Sequence, residues 1–400
     1  MKKIKKVIFV FLLFFIAGSI WLPCLNFLFK VDINSYRTKE GIAPKTQLLA
    51  QRQMRNWENY SKKEKDISKM RVVNAEWDFM GRTFFVLSLA NMACMEPSKT
   101  EEYLNTIDRV IDDTLELEKK KGKYYFLMDY ARDSEFLSKQ KRSIFIDGEI
   151  ALMLGARRLL EEKQTYKKEM EKRITLMISQ MKQSPVLSAE SYPDECWLFC
   201  NTAAIASIKI GDILGTGENV EFINEWLEVL KANFIEPKTG LLYSSYSVDG
   251  NIYQGPEGSS IWFAAHCLQL VDEVFARTQY RLAKEELARH VMDFGYAKEW
   301  PSSYKTGSDV DSGPVIPFLE ISAGSSGLAF VAAGAFDDDI YLQKLLTAVQ
   351  FAGFPIEKNG ELKYGASNQV GDAVLLYGLV VGPLWEKAKS LEANKYEKVE

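Results

Sequence analysis

Apolar residues recur along most of this chain at the three-to-four spacing of helices, but successive segments differ in how far that apolar surface wraps around. "RTFFVLSLANMACM" is apolar on nearly every face, whereas "EEYLNTIDRVIDDTLELEKK" carries one apolar stripe and one charged face. Between them "EPSKT" supplies a proline turn and hydroxyl residues to start the next helix, so the two segments are expected to form a helical hairpin. "SIFIDGEIALMLGARRLLEE" with "YKKEMEKRITLMISQMKQ", and "CWLFCNTAAIASIKIGDILG" with "VEFINEWLEVLKANFI", repeat the pairing. Further helical stretches follow in "SSIWFAAHCLQLVDEVFARTQYRLAKEELARHVMDF", in "GSSGLAFVAAGAF" with "IYLQKLLTAVQFAGF", and in "GDAVLLYGLVVGPLWEKAKSL". Helices that are apolar all round belong inside, and those with a polar face belong against water. Their alternation predicts an all-α fold, an α/α toroid of (α/α)6 type in which a double ring is built from helical hairpins.

Two stretches follow a different period. "GLLYSSYSVDGNIYQG" alternates around Asp249-Gly250, and "PIEKNGELKYG" alternates around Asn359-Gly360, so short β-hairpin insertions are expected at both. At the other extreme, Val7 to Phe29 is an uncharged apolar run long enough to cross a bilayer core of about 30 Å as a helix. Lys2, Lys3, Lys5 and Lys6 precede it and predict a cytoplasmic N-terminus, with the rest of the chain outside the cytoplasm. The run is long for a cleaved signal peptide and lacks a small-residue cleavage pattern, so it is read as an uncleaved single-pass anchor. The expected organisation is an anchor over 1–30, a polar tether over 31–45 and a toroid domain over 46–395.

Composition narrows the classes of function. A 47% hydrophobic content and a net charge of −4 fit a folded enzyme and carry no basic excess of the kind nucleic-acid binding requires. The expected partners are a small-molecule substrate and the membrane reached through the first helix, with a homo-oligomer left open. Five cysteines are too sparse for a disulfide framework. With two histidines, no C-x-x-C pair and no H-E-x-x-H, a metal site built by the protein is not expected.

In a toroid of this kind, side chains gather where loops lead into the inner helices, so chemistry is sought at the starts of the apolar segments. Asp78 follows Glu76 and Trp77 there; it is a candidate acid, or else half of an i,i+4 ion pair with Arg82. Glu149 opens an apolar helix with no local base to pair with it, which makes it costly if idle and useful if its pKa is raised. Its neighbour Asp147 reads as a helix cap. In "SYPDECWLFCNT", Pro193, Asp194 and Glu195 suit a helix start, Cys196 suits packing, and Tyr192, Trp197 and Cys200 remain as cavity candidates. "YQGPEGSSIWFAAH" brings Tyr253, Glu257 and Trp262 to a helix start, and His266 reads as a hydrogen-bonded core histidine. "SDVDSGPVIPF" places Asp309 and Asp311 in a loop, with Asp311 a candidate at the cavity mouth.

The segments "ANMACMEPSKTEEYLNTIDRVI", "YPDECWLFCNTAAIAS" and "FIEPKTGLLYSSYSVDGNIYQG" with "GSSIWFAAH" resemble, in order, those of the linalool dehydratase-isomerase family, over about residues 70 to 385. The resemblance implies an α/α toroid and cofactor-free dehydration and isomerisation of a small terpene alcohol outside the cytoplasm. Cys200 matches an active-site cysteine of the family. Glu149 falls where the family has a histidine, Asp78 about where it has a tyrosine, and Ser191 and Tyr192 where it has a cysteine and a glutamate. The expected catalytic set is therefore Asp78, Glu149, Cys200 and Tyr192, with Trp77, Trp197, Tyr253, Trp262 and Asp311 binding the substrate. The chemistry expected of it is acid-base dehydration or isomerisation of a hydroxylated molecule with no cofactor. An inverting glycoside hydrolase or other carbohydrate-active enzyme is the alternative, since two acids and aromatic rings also suit a sugar. A non-catalytic, membrane-tethered binding protein is the third reading.

Overall fold

The computed structural model describes residues 2–304 and 312–397. After the long helix α1 (Lys2–Phe29) come α2 (Pro44–Glu58) and α3 (Tyr60–Val73), and then five helical pairs. These are α4 (Ala75–Met95) with α5 (Thr100–Lys121), α6 (Ile144–Leu160) with α7 (Gln164–Met181), α8 (Leu198–Ile213) with α9 (Val220–Asn233), α10 (Gly258–Leu268) with α11 (Glu273–Leu287), and α12 (Ala323–Ala335) with α13 (Asp339–Ala352). Helices α14 (Gln369–Val380) and α15 (Pro383–Glu397) follow. The even-numbered helices from α4 to α14 touch one another in chain order, and α14 returns to α4, which closes an inner ring of six. Helices α5 to α13 of odd number lie outside it, and α2 packs against α14 and α5 to bridge the outer layer there, so the fold is the expected α/α toroid.

The burial of each helix follows its sequence. Inner α4 is buried almost without break from Phe79 to Ala93, while outer α5 buries only Tyr103, Leu104, Ile107, Val110, Ile111 and the threonines beside them. Small residues let the inner helices approach closely. A Cβ on Gly378 would lie 2.7 Å from the carbonyl carbon of Phe330, so α12 and α14 meet at a distance that only glycine permits.

One end of the ring is plugged. Helix α15 is not the outer partner of α14 but crosses the end formed by the C-termini of the inner helices, against α4, α6 and α8. There the Leu384 N–H donates to Asn91 Oδ1 at 3.0 Å, and Trp385 stacks on His266 at 4.8 Å. His266 is a buried core histidine bridging Gln269 and Tyr377, and burial lowers its pKa to about 4.

Short antiparallel strands decorate the opposite end. Strands β1 (Cys196–Trp197), β2 (Ser245–Tyr246) and β3 (Ile252–Gln254) form one sheet in that order. Three hairpins accompany it: β4 (Ala288–Val291) with β5 (Phe294–Ala297), β6 (Val315–Ile316) with β7 (Ile321–Ser322), and β8 (Pro355–Lys358) with β9 (Glu361–Tyr364). The two expected hairpins are present, whereas β4–β5 replaces a helix expected to run through "ARHVMDF". The hairpin wins because Gly295 lets β5 lie directly on α13, where a Cβ would come 2.8 Å from the Lys344 backbone.

Helix α1 exposes its apolar side chains and is long and apolar enough to cross a membrane. Residues 31–45, expected as a loose tether, instead lie along the ring. Val31, Tyr36 and Ala43 are buried, and Tyr36 donates to Gln350 at 3.0 Å. The Arg37 guanidinium donates to the carbonyls of Gly334 (2.9 Å), Leu379 (3.2 Å) and Val381 (3.1 Å), which places a cation at the negative C-terminal ends of α12 and α14.

Candidate functional site

All six inner helices run in one direction, and their N-terminal turns surround a cavity of about 780 Å³ at the end opposite α15. Helix α4 contributes Glu76, Trp77 and Met80, α6 contributes Phe145, and α8 contributes Phe199 and Cys200. Loops and the β1–β3 sheet add Tyr130, Tyr192, Glu195, Trp197, Tyr253, Glu257 and Trp300. The free backbone N–H groups of six helix starts therefore gather at one end, an electrostatic setting that favours carboxylates and developing negative charge.

On one wall Glu76 and Tyr192 act as a pair. Asn74 caps α4 by accepting the Glu76 N–H, which fixes the first turn and directs the Glu76 side chain to the cavity. The Tyr192 hydroxyl donates to the Glu76 carboxylate and accepts the Met128 N–H at 3.0 Å, while its ring stacks on Tyr130 at 4.5 Å. Burial first, and the Glu76 charge second, push the phenol well above its ordinary value, so Tyr192 is a neutral donor.

Beneath this wall lies Glu149. It is one helical turn deeper than Phe145 on α6, and its partner Thr83 is one turn deeper than Met80 on α4, so it sits under the cavity lining. The Thr83 hydroxyl donates to Oε2, while Oε1 is buried with no hydrogen-bond partner. Burial pushes the Glu149 carboxyl up to about 8; the Thr83 bond opposes the shift and the Glu76 charge adds to it. At neutral pH Glu149 is thus a protonated acid. Cys200 lines the cavity above it, and burial raises its thiol well above the ordinary value, with a hydrogen bond from Ser191 opposing and the charges of Glu149 and Glu76 reinforcing. Cys200 is therefore a neutral S–H group and not a thiolate.

The facing side holds further carboxylates, each held by a donor. The Trp197 indole donates to Glu195 Oε2 at 3.0 Å, the Tyr253 hydroxyl to Asp194 Oδ2 at 2.8 Å, and the Trp300 indole to Glu257 Oε1 at 3.4 Å. Among the described residues, no three histidine, cysteine or carboxylate side chains converge as a metal site would need.

The structure brings Tyr192, Cys200, Trp77, Trp197 and Tyr253 together around the cavity, with Glu149 beneath it. It does not bring Asp78 there. Asp78 is buried against Arg82 Nε at 2.8 Å and Arg71 at 3.3 Å, the ion-pair reading of its spacing, on the side of α4 turned from Glu76. Trp262 is also displaced: it is fully buried, and its indole donates to Ser325 at 3.0 Å, because the second turn of α10 faces α12. Asp147 is no cap; it lies in the first turn of α6 and binds Arg142 and Arg173. Pro193, Asp194 and Glu195 form a tight turn ahead of α8, with Asp194 at φ 58, and not a helix start. Asp309 and Asp311 lie outside the described residues. Sequence reasoning named Glu76, Glu195 and Glu257 within the candidate stretches without choosing them as site residues, and it did not reach Trp300. The available signal for Glu76 was Asn74 two residues before it, a capping residue that settles which of two neighbouring acids leads the helix.

Comparison with known proteins adds the following. The family model described as linalool dehydratase/isomerase matches residues 148–370. No curated protein matches the chain. Among solved structures, the GH76 α-mannanase of Bacteroides thetaiotaomicron is similar at 10% identity and a TM-score of 0.49, over 78% of this chain and 87% of that one. The GH76A α-1,6-mannanase of Salegentibacter sp. HEL1_6 is similar at 14% identity and a TM-score of 0.47, over 80% and 90% of the two chains.

Proposed function

Since this chain belongs to the linalool dehydratase/isomerase family, we propose that it removes water from a small hydroxylated substrate, or moves that hydroxyl, using acid and base groups of its own. Dehydration breaks a C–O bond and a C–H bond on neighbouring carbons, forms a C=C bond and releases water. It needs a proton for the departing hydroxyl and an acceptor for the carbon-bound proton. Isomerisation uses the same two groups: the acid protonates the departing hydroxyl and its C–O bond breaks, water forms a new C–O bond at another carbon, and the base takes the proton that this water gives up.

The observation that carries this reading is the protonated carboxyl of Glu149 directly under the lining of a cavity whose wall holds the carboxylate of Glu76. A buried protonated carboxyl and a second carboxyl that accepts a phenol hydroxyl can divide the roles of acid and base between them. Glu149 supplies the proton from below, beside Cys200. Glu76 accepts the proton from carbon, with the Tyr192 hydroxyl holding its charge in place. The Cys200 thiol and the Trp77 and Phe199 rings bind the apolar part of the substrate. The cavity volume lies within the roughly 300–1,000 Å³ usual for small-molecule sites. Each proton transfer is worth ~10²–10⁴ in rate.

A second reading, an inverting glycoside hydrolase, draws support from three carboxylates (Glu76, Glu195, Glu257) and three indoles (Trp77, Trp197, Trp300) on one cavity. One experiment separates the two. Purified full-length protein is offered a panel of allylic and tertiary alkenols, with alkene and rearranged alcohol read by gas chromatography, alongside a panel of oligosaccharides. Alkenol turnover supports the first reading; sugar release without alkenol turnover replaces it with the second.

The same proposal makes α1 an uncleaved anchor. Lys2, Lys3, Lys5 and Lys6 ahead of the apolar run favour a cytoplasmic N-terminus, with the toroid on the outer side.

A further inference from the structure

Three turns at the cavity end hold bulky apolar side chains out in the open. Between β4 and β5, Met292 stands exposed beside Val291; between β6 and β7, Ile316, Phe318 and Leu319 are exposed, Phe318 completely at 103%; after α13, Phe354 is 67% exposed, with Phe351 and Ile356 beside it. Each turn also places one of these residues in the left-handed region: Met292 at φ 54, Phe318 at φ 67 and Phe354 at φ 51. Glycine or asparagine would relieve both the exposure and the backbone strain at all three positions.

The turns are neighbours. Phe294 of β5 meets Phe351 with ring centroids 5.2 Å apart, Lys298 just after β5 pairs with Ile321 of β7, and Phe354 and Ile356 flank Gly365. Helix α1 ends among them. Phe29, its last residue, packs edge-on against Phe351 at 5.1 Å, and Lys30 binds Asp293, the residue after Met292, at 3.3 Å. Acidic groups in this region are paired: Asp293 with Lys30, Glu320 with Lys298, and Glu357 with Lys45. The stems of two of the turns also rim the cavity, where Ser312 and Ala323 flank β6–β7 and Ala366 follows β9.

We propose that these three turns sit in the bilayer leaflet from which α1 emerges, so that the cavity rimmed by two of them takes an apolar substrate directly from lipid. The occupant is fixed by α1: a bilayer that surrounds this helix down to Phe29 reaches the side chains packed around Phe29. The proposal rests on the reading of α1 as a retained anchor.

The test uses the full-length chain in phosphatidylcholine vesicles containing phosphatidylglycerol, with photoreactive benzoylphenylalanine replacing Phe318, Phe354 or, as control, Val274. Val274 is 77% exposed on α11, next to Glu273, which binds Lys389 of α15 at the far end of the ring. Membrane residence is read first by alkaline carbonate extraction, and phospholipid adducts are then read by mass spectrometry. The expected result is retention in the membrane and several-fold more lipid adduct at positions 318 and 354 than at 274. Retention with equal adduct at all three overturns the proposal and leaves the anchor standing. Extraction of the chain by carbonate overturns the anchor reading and the proposal with it.

Discussion

Glu149 is buried with one carboxylate oxygen unpartnered, and the reaction proposed above is the reason a residue so placed would be kept. Glu149→Gln keeps the shape and removes the proton: turnover should fall ~10²–10⁴-fold while circular dichroism and the thermal transition remain those of a folded protein, and retained turnover would refute the assignment. The same group should shape the dependence on pH. Its carboxyl titrates at the ordinary 4.5 when unfolded and near 8 when folded, so the folded state holds an extra proton between these values. Stability from this group is complete below 4.5 and is lost as pH rises toward 8, and activity should fall on the alkaline side near 8. Denaturant titrations at several pH values should show that slope flattened in Glu149→Gln. Asp78 should behave in the opposite way. Asp78→Asn leaves Arg82 buried with a weakened partner and should cost about 3 kcal/mol of stability, while turnover per folded molecule is retained. The sequence made Glu149 legible because an acid at the start of an apolar helix has no innocent partner nearby. It left Asp78 open because an i,i+4 arginine fits a salt bridge and an active-site acid equally well, and only the direction of the α4 face decides between them.

At the scale of elements, glycines and caps determine how the inner helices meet. Gly378→Ala would drive a Cβ to 2.7 Å from Phe330, force α12 and α14 apart and lower stability by about 1–3 kcal/mol in a denaturant titration. The alternation of all-apolar with amphipathic segments was enough to read the double ring, because burial on every face or on one face is written into each helix alone. The fate of α15 was not written that way. Its charged face resembles that of an outer helix, and only contacts with α4, α6 and α8 reveal it as a plug. Hairpin β4–β5 was hidden for a related reason: its pairing rests on how closely Gly295 can approach a helix distant in sequence.

Over the whole molecule, the ring has a plugged end and a working end. Trp385→Ala removes the stacking partner of His266 at the plugged end and should cost ~3–5 kcal/mol. Nuclear magnetic resonance titration of His266 should then show its pKa rising from about 4 toward the ordinary 6.5 as water reaches the imidazole. The ring is tied to α1 by residues 31–45, which run to the C-terminal ends of α12 and α14, and their burial changes how α1 holds the domain. A loose 15-residue leash would let the domain wander about 20 Å from its attachment point and present any side to the bilayer. With Arg37 locked onto the ends of α12 and α14, and Tyr36 onto α13, the leash is taken up and the domain keeps one heading. Under the anchoring and turnover proposed above, the substrate is counted per area of membrane, and adding inert lipid should dilute it as effectively as adding water dilutes the substrate of a free enzyme.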